Sequence, residues 1–208
     1  MTDLFSPFTL RGVTLKNRIG VSPMCQYSCR DDGMPTDWHL AHLVSRSVGG
    51  AGMVMVEASA VVPEGRITPG CTGLWNDEQV DAFAPIANFV KKHGAVPGIQ
   101  IAHAGRKASA NKPWDGDDHI PASDPRAWKI VGPSAEAWGA NLPRVPHSMS
   151  KAEIVCAQND FVTAAKRALE AGFEWLELHF AHGYLAQSFF SPLANKRTDE
   201  YGGSFENR

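Results

Sequence analysis

Hydrophobic positions along this chain repeat with two different periods, and the two alternate. Phe8-Thr9-Leu10 and Val13-Thr14-Leu15 flank Arg11-Gly12, a hairpin signal within residues 1–18. Ile19 to Met24 is a short apolar run closed by Pro23, which predicts a strand. Thr36 or Asp37 can cap a helix with Leu40, Leu43, Val44 and Val48 on one face, stopped by Gly49-Gly50. Met53-Val54-Met55-Val56 is continuously apolar, as expected of a parallel strand buried on both faces. Asn76, with Gln79 three residues on, opens a second helix with the stripe Val80, Phe83, Ile86, Ala87 and Val90. Lys91-Lys92-His93 in its last turn and the following Gly94 suit the helix dipole and a left-handed stop. Val96 to Ile101 predicts a third strand. Ser150-Lys151-Ala152-Glu153 reads as a capping box opening a helix with Ile154, Ala157, Phe161, Ala165 and Ala168 inward, ended by Gly172. Trp175 to Phe180 predicts a fourth strand, and Ser204 a cap for one more helix.

Four strands separated by three helices imply a parallel sheet with right-handed crossovers. The strands start at 19, 53, 96 and about 175, so the first two intervals fit simple βαβ units and the third is far longer. The excess lies in residues 104–149, which hold Trp114, Trp128, Trp138 and many prolines. A long connection after the carboxyl end of a strand is usually functional in α/β folds. The segment reads as a lid or capping insert with a small core of its own.

Composition narrows the classes. The chain has 208 residues, long for a small α/β domain and short of the roughly 250 of a (β/α)8 barrel. A net charge of −2 offers no basic surplus for nucleic acid or an anionic membrane. No apolar run reaches the length of about 18 residues that a spanning helix needs. Met1-Thr2-Asp3-Leu4-Phe5-Ser6-Pro7 lacks the basic and apolar regions of a signal peptide. Cysteines at 25, 29, 71 and 156, with no Asn-x-Ser/Thr acceptor, predict a reducing, cytoplasmic protein rather than a disulfide scaffold.

Polar residues gather in four places, each at or just after a predicted strand's carboxyl end. They are Ser22-Pro23-Met24-Cys25-Gln26-Tyr27, Glu57-Ala58-Ser59-Ala60, Gln100 to Lys107, and Glu177 to Tyr184. In a parallel barrel that end is the catalytic face, so the four stretches argue for one shared site. Singly, each has a bland reading. Cys25 suits a small buried hydrophobe, and Gln100 a residue that satisfies backbone groups. Cys25 with Cys29, and His179 with His182, resemble half of a metal site, and a zinc hydrolase using Cys25, His179 and His182 is a competing reading. Neither pair has the second ligand pair or adjacent acid that such sites show, so no metal is expected. Gly-x-Gly-x-x-Gly after a strand, Gly-x4-Gly-Lys-Ser/Thr and Gly-x-Ser-x-Gly are all missing.

Taken together, several segments resemble the old yellow enzyme family. They are Leu15-Lys16-Asn17-Arg18-Ile19, Ser22-Pro23-Met24-Cys25, Val56-Glu57-Ala58-Ser59-Ala60, Gly65-Arg66-Ile67-Thr68, Gln100 to Lys107, His179-Phe180-Ala181-His182-Gly183-Tyr184-Leu185 and Asn195 to Ser204. Cys25 with Tyr27, and Lys107 to Trp114, look most like its bacterial xenobiotic reductase A branch. The resemblance implies a (β/α)8 TIM barrel that binds FMN noncovalently. It implies reduction of the flavin by NADPH or NADH, then hydride transfer to an alkene conjugated to a carbonyl or nitro group. His179 and His182 would hold the substrate's activating oxygen, Tyr184 would protonate the α-carbon, and Tyr27 would contact that oxygen or close the pocket. Backbone of Ser22, Pro23, Met24, Cys25 and Ala58 would hold the flavin ring, Gln100 its pyrimidine edge, and Cys25 would tune its potential. Lys107 falls near the site without an assigned role. Family members run well beyond residue 208, so residues 1–208 read as the first four βα units of one FMN-binding barrel domain. The alternative is an inactive half-barrel unable to hold FMN without its other half. Small activated alkenes are the expected partners, with neither nucleic acid nor membrane, and a dimer or tetramer is expected at full length.

Overall fold

A computed structural model describes residues 3–208. Strands β1 (Phe8–Leu10) and β2 (Val13–Leu15) pair antiparallel as the predicted hairpin. Its two turn residues, Arg11 and Gly12, both have positive φ (48° and 87°), the combination of the tight turn that matches strand twist.

The framework is then β3 (Gly20–Val21), α1 (Asp37–Val48), β4 (Met53–Ala60), α2 (Asp77–Lys92) and β5 (Val96–Ala102). After the long insert, which holds the short pair β6 (Val131–Gly132) and β7 (His147–Ser148), come α3 (Lys151–Glu170), β8 (Trp175–Leu178) and α4 (Leu185–Phe190). β3, β4, β5 and β8 form one sheet in that order, every neighbouring pair parallel. Helices α1, α2 and α3 lie on one face. Leu43 of α1, Phe83, Ile86 and Val90 of α2, and Ala164 and Ala168 of α3 bury against Val54, Val56, Ile99 and Ile101 of β4 and β5. The caps act as predicted: Asn76 accepts from the Gln79 N–H at 2.9 Å and Ser150 from the Glu153 N–H at 3.2 Å.

Four expectations change. α1 buries His39, Leu43 and Ser47, while Leu40 and Val48 are 41% and 62% exposed. The buried polar pair has partners across the interface: Ser47 Oγ donates to the Val90 carbonyl at 3.2 Å, and His39 meets Glu57 at 2.8 Å. The first strand keeps only Gly20–Val21 in the sheet, because it pairs on one side alone and Pro23 has no N–H to give. The fourth ends at Leu178 instead of Phe180, where the chain turns away into a tight loop. Residues Ser204 to Asn207 form bends and turns rather than a helix. The short α4 has no counterpart in the periodicity.

Candidate active site

The sheet's other face carries Gly98 and Gln100 of β5, with Glu177 of β8 directly opposite Gln100. Above it, at the carboxyl ends of the strands, lies a cavity of about 550 Å³. Ser22, Pro23, Cys25 and Tyr27 line it from the loop after β3, Ala58 from β4, Gln100 from β5, and His179, His182 and Tyr184 from the loop after β8. Of the residues expected at the site, Met24 alone does not line this cavity. Its side chain is 49% exposed and faces a small crevice beside His39 and His42.

The loop after β8 is shaped by two successive left-handed residues, His182 (φ 58°) and Gly183 (φ 78°). Gly183 is required there: a Cβ would lie 2.1 Å from the Trp138 ring of the insert. The turn brings His179 within 5.1 Å of His182 and 4.6 Å of Tyr184, centroid to centroid. His179 Nδ1 accepts the Ala181 N–H at 3.3 Å, which leaves its Nε2–H as a free donor. Burial first, then the charge of His182, holds the His179 pKa below the usual histidine value, so the ring is a neutral donor near pH 7. Burial pushes the Tyr184 phenol well above its ordinary value, so it keeps its proton.

Lys107 ties this loop to the insert. Its Nζ donates to the His182 carbonyl at 3.0 Å and sits 4.3 Å from the Trp138 ring and 5.2 Å from that of Tyr184. In the loop after β3, Tyr27 (φ 51°) packs edge-on against Trp114 at 5.7 Å. The Cys25 thiol is raised by burial, reinforced by Cys71 and Glu57, and is therefore a neutral thiol with little nucleophilic character. Gln100 Nε2 donates to Glu177 Oε1, which turns the amide and leaves its oxygen available. Glu177 and the buried Glu57–His39 pair have no role in the sequence reading. Their signal is an acidic residue at the end of a strand that is otherwise apolar. Among the described residues, no group of three or more His, Cys, Asp or Glu could hold a metal ion.

Residues 3–208 match the family model described as NADH:flavin oxidoreductase / NADH oxidase. The chain belongs to that family. It is 49% identical to an NADH:flavin oxidoreductase of Gibberella zeae, over all of this chain and 50% of that protein. It is 49% identical to the NADPH dehydrogenase of Geobacillus sp. (strain WCH70), over all of this chain and 56% of that one. Among solved structures, Old Yellow Enzyme from Pichia sp. AKU4542 superposes with a TM-score of 0.86 at 29% identity, covering 99% of this chain and 53% of that one. Morphinone reductase in complex with tetrahydroNAD superposes at 0.82 and 28% identity, covering 98% and 56%. These family structures are TIM barrels, and the four-stranded parallel sheet is the corresponding part of one. The chain thus spans about half the length of the curated relatives it matches.

Proposed function

We propose that this chain carries the flavin-ring and substrate side of an FMN-dependent ene-reductase that takes its electrons from NADPH or NADH. The observation that carries the reading is the cluster of two imidazoles and a protonated phenol lining one cavity together with small side chains and a neutral thiol. The names of the relatives, NADPH dehydrogenase and Old Yellow Enzyme, point the same way.

The residues fit a flavin ring. The cavity's volume, about 550 Å³, lies within the usual range for small-molecule sites. Ser22, Pro23, Cys25 and Ala58 leave a wall of small groups and backbone, and Gln100 keeps a free amide oxygen. On this reading the backbone of Ser22, Pro23, Met24, Cys25 and Ala58 holds the ring, and Gln100 meets its pyrimidine edge. When bound, FMN supplies hydride to the β-carbon of an alkene conjugated to a carbonyl or nitro group.

The chain's own groups do the rest. The Nε2–H of His179, with His182 beside it, donates to the substrate's activating oxygen. Negative charge grows on that oxygen as the reaction proceeds, so donors held in place favour the transition state over the ground state by about 3–4 kcal/mol. Tyr184 delivers its proton to the α-carbon, a role that a phenol raised by burial can fill throughout the neutral range. Tyr27 contacts the same oxygen or closes the pocket. Cys25 adjusts the ring's potential rather than attacking substrate. The substrates are small activated alkenes, the insert 104–149 is the lid, and the full-length protein is a dimer or tetramer.

The test is the full-length gene product. It should be yellow, bind FMN and oxidise NADPH when cyclohexenone is added. A colourless product that does not take up FMN would overturn the reading.

A further inference from the structure

Glu57 is 3% exposed and His39 1%, and no step of the proposed reaction uses either. A buried carboxylate is costly unless both oxygens find donors. Here Oε1 takes His39 Nε2 at 2.8 Å and Oε2 takes the backbone N–H of Gln26. The imidazole's tautomer is set from its far side. His39 Nδ1 accepts the Thr36 N–H at 2.9 Å, so the proton that faces Glu57 sits on Nε2. A register shift in β4 between Val56 and Ser59 accompanies this arrangement: Ala58 lines the cavity while Glu57 meets α1.

Gln26 is the residue between Cys25 and Tyr27. Its side chain is gripped as well: Trp38, next to His39 on α1, donates from Nε1 to Gln26 Oε1 at 3.0 Å. Tyr27 itself holds φ 51°, a conformation that side-chain-bearing residues seldom adopt without outside support. The peptide that carries two cavity-lining side chains is therefore tied to a strand and a helix through one residue.

We propose that Glu57 and His39 are positioning residues: the buried carboxylate, oriented by the imidazole, holds the Gln26 N–H and so sets where Cys25 and Tyr27 stand in the cavity. The effect on a flavin rests on the function proposed above, whereas the positioning of the loop does not. Glu57→Gln replaces one acceptor oxygen with an NH2 that must face a donor, either Gln26 N–H or His39 Nε2–H, and releases the loop.

The experiment has two arms on the full-length protein. In the flavin-free form, alkylation of Cys25 by N-ethylmaleimide is followed by mass spectrometry, with exposed Cys156 as the rate reference and buried Cys71 as the check on folding. Glu57→Gln is expected to raise the Cys25 rate about tenfold, in line with the loss of one hydrogen bond to a charged group, while Cys71 stays protected. In the FMN-loaded form, the same variant is expected to move the flavin midpoint potential in the direction that Cys25→Ser moves it, and to raise KM for cyclohexenone. If Cys25 reacts at the wild-type rate in Glu57→Gln, the proposal is wrong. If Glu57→Gln exposes Cys71, the fold has opened and the His39 variants decide. His39→Leu should raise the Cys25 rate, and His39→Gln, whose Nε2–H replaces the lost donor, should not; equal rates in those two overturn the proposal. Failure of the wild type to bind FMN removes the proposed function but leaves the alkylation result to judge this inference.

Discussion

His103, at the end of β5, shows how one buried side chain couples the fold to pH. It is 6% exposed, and its Nδ1 accepts the Gly105 N–H at 3.0 Å. Burial pushes its pKa down to about 4. An unfolded chain binds a proton on this ring below about pH 6.5, whereas the native ring resists it down to about pH 4. Stability therefore falls as pH drops through that window, by up to about 3 kcal/mol from this group. Melting curves across the window should show the loss. His103→Asn, whose Oδ1 can accept the Gly105 N–H where Nδ1 does, should flatten much of the slope; a wild type with no slope would overturn this expectation. Tyr184 supplies the second residue-scale prediction. Tyr184→Phe in the full-length enzyme should slow enone reduction by about 10²–10⁴-fold while NADPH still reduces the flavin at a near-normal rate. Because burial raises the phenol's pKa, wild-type enone turnover should not decline near pH 10, where an ordinary tyrosine ionises. Stopped-flow measurement of the two half-reactions checks both statements.

At the scale of elements, the loop from His179 to Tyr184 depends on a contact with a distant part of the chain. Gly183→Ala would place a Cβ against the Trp138 ring at a backbone φ of 78°. The backbone alone should cost about 1 kcal/mol or more, and Trp138 must also move off its Lys107 contact. A lower Tm together with a drop in enone kcat/KM is expected, and an unchanged variant would show that the insert does not brace the loop. Much of this level was legible in the chain. Asn76 with Gln79, and Ser150 with Glu153, cap their helices through bonds spanning three residues, so the signal is local. The face that α1 buries was not legible. Periodicity favours Leu40, Leu43, Val44 and Val48, and Leu43 is buried, but His39 and Ser47 join it in place of Leu40 and Val48 because Glu57 and the Val90 carbonyl stand opposite them. No pattern within α1 can report a partner that lies 18 or 43 positions away. The candidate site was legible as a set of strand-end stretches, while Glu177 beside Gln100 became visible only through the parallel register of β5 and β8.

At the scale of the molecule, β3 and β8 each pair on one side only among the described residues. Leu176 and Leu178 of β8 are 42% and 48% exposed, and Phe180 just beyond is 59% exposed. An apolar groove of about 310 Å³, lined by Ile154, Phe161, Leu178, Phe180, Leu185 and Phe189, runs beside them. Unpaired edges and exposed apolar groups of this kind favour pairing with other chains. Residues 1–208 expressed alone should self-associate in a concentration-dependent way, as read by sedimentation velocity. A stable monomer at about 10 µM or above would show that these surfaces are tolerated. By itself, the order of apolar runs and caps determined the strand–helix alternation, and with it a parallel sheet whose chemistry gathers at one end, because both signals arise within a single element or its ends. Tertiary structure alone decided that Met24 faces away from the cavity, that Glu177 stands beside Gln100, and that Glu57 reaches His39 and Gln26. Each of those depends on residues far apart in the chain meeting across packed surfaces, where the need to satisfy every buried polar group selects one arrangement.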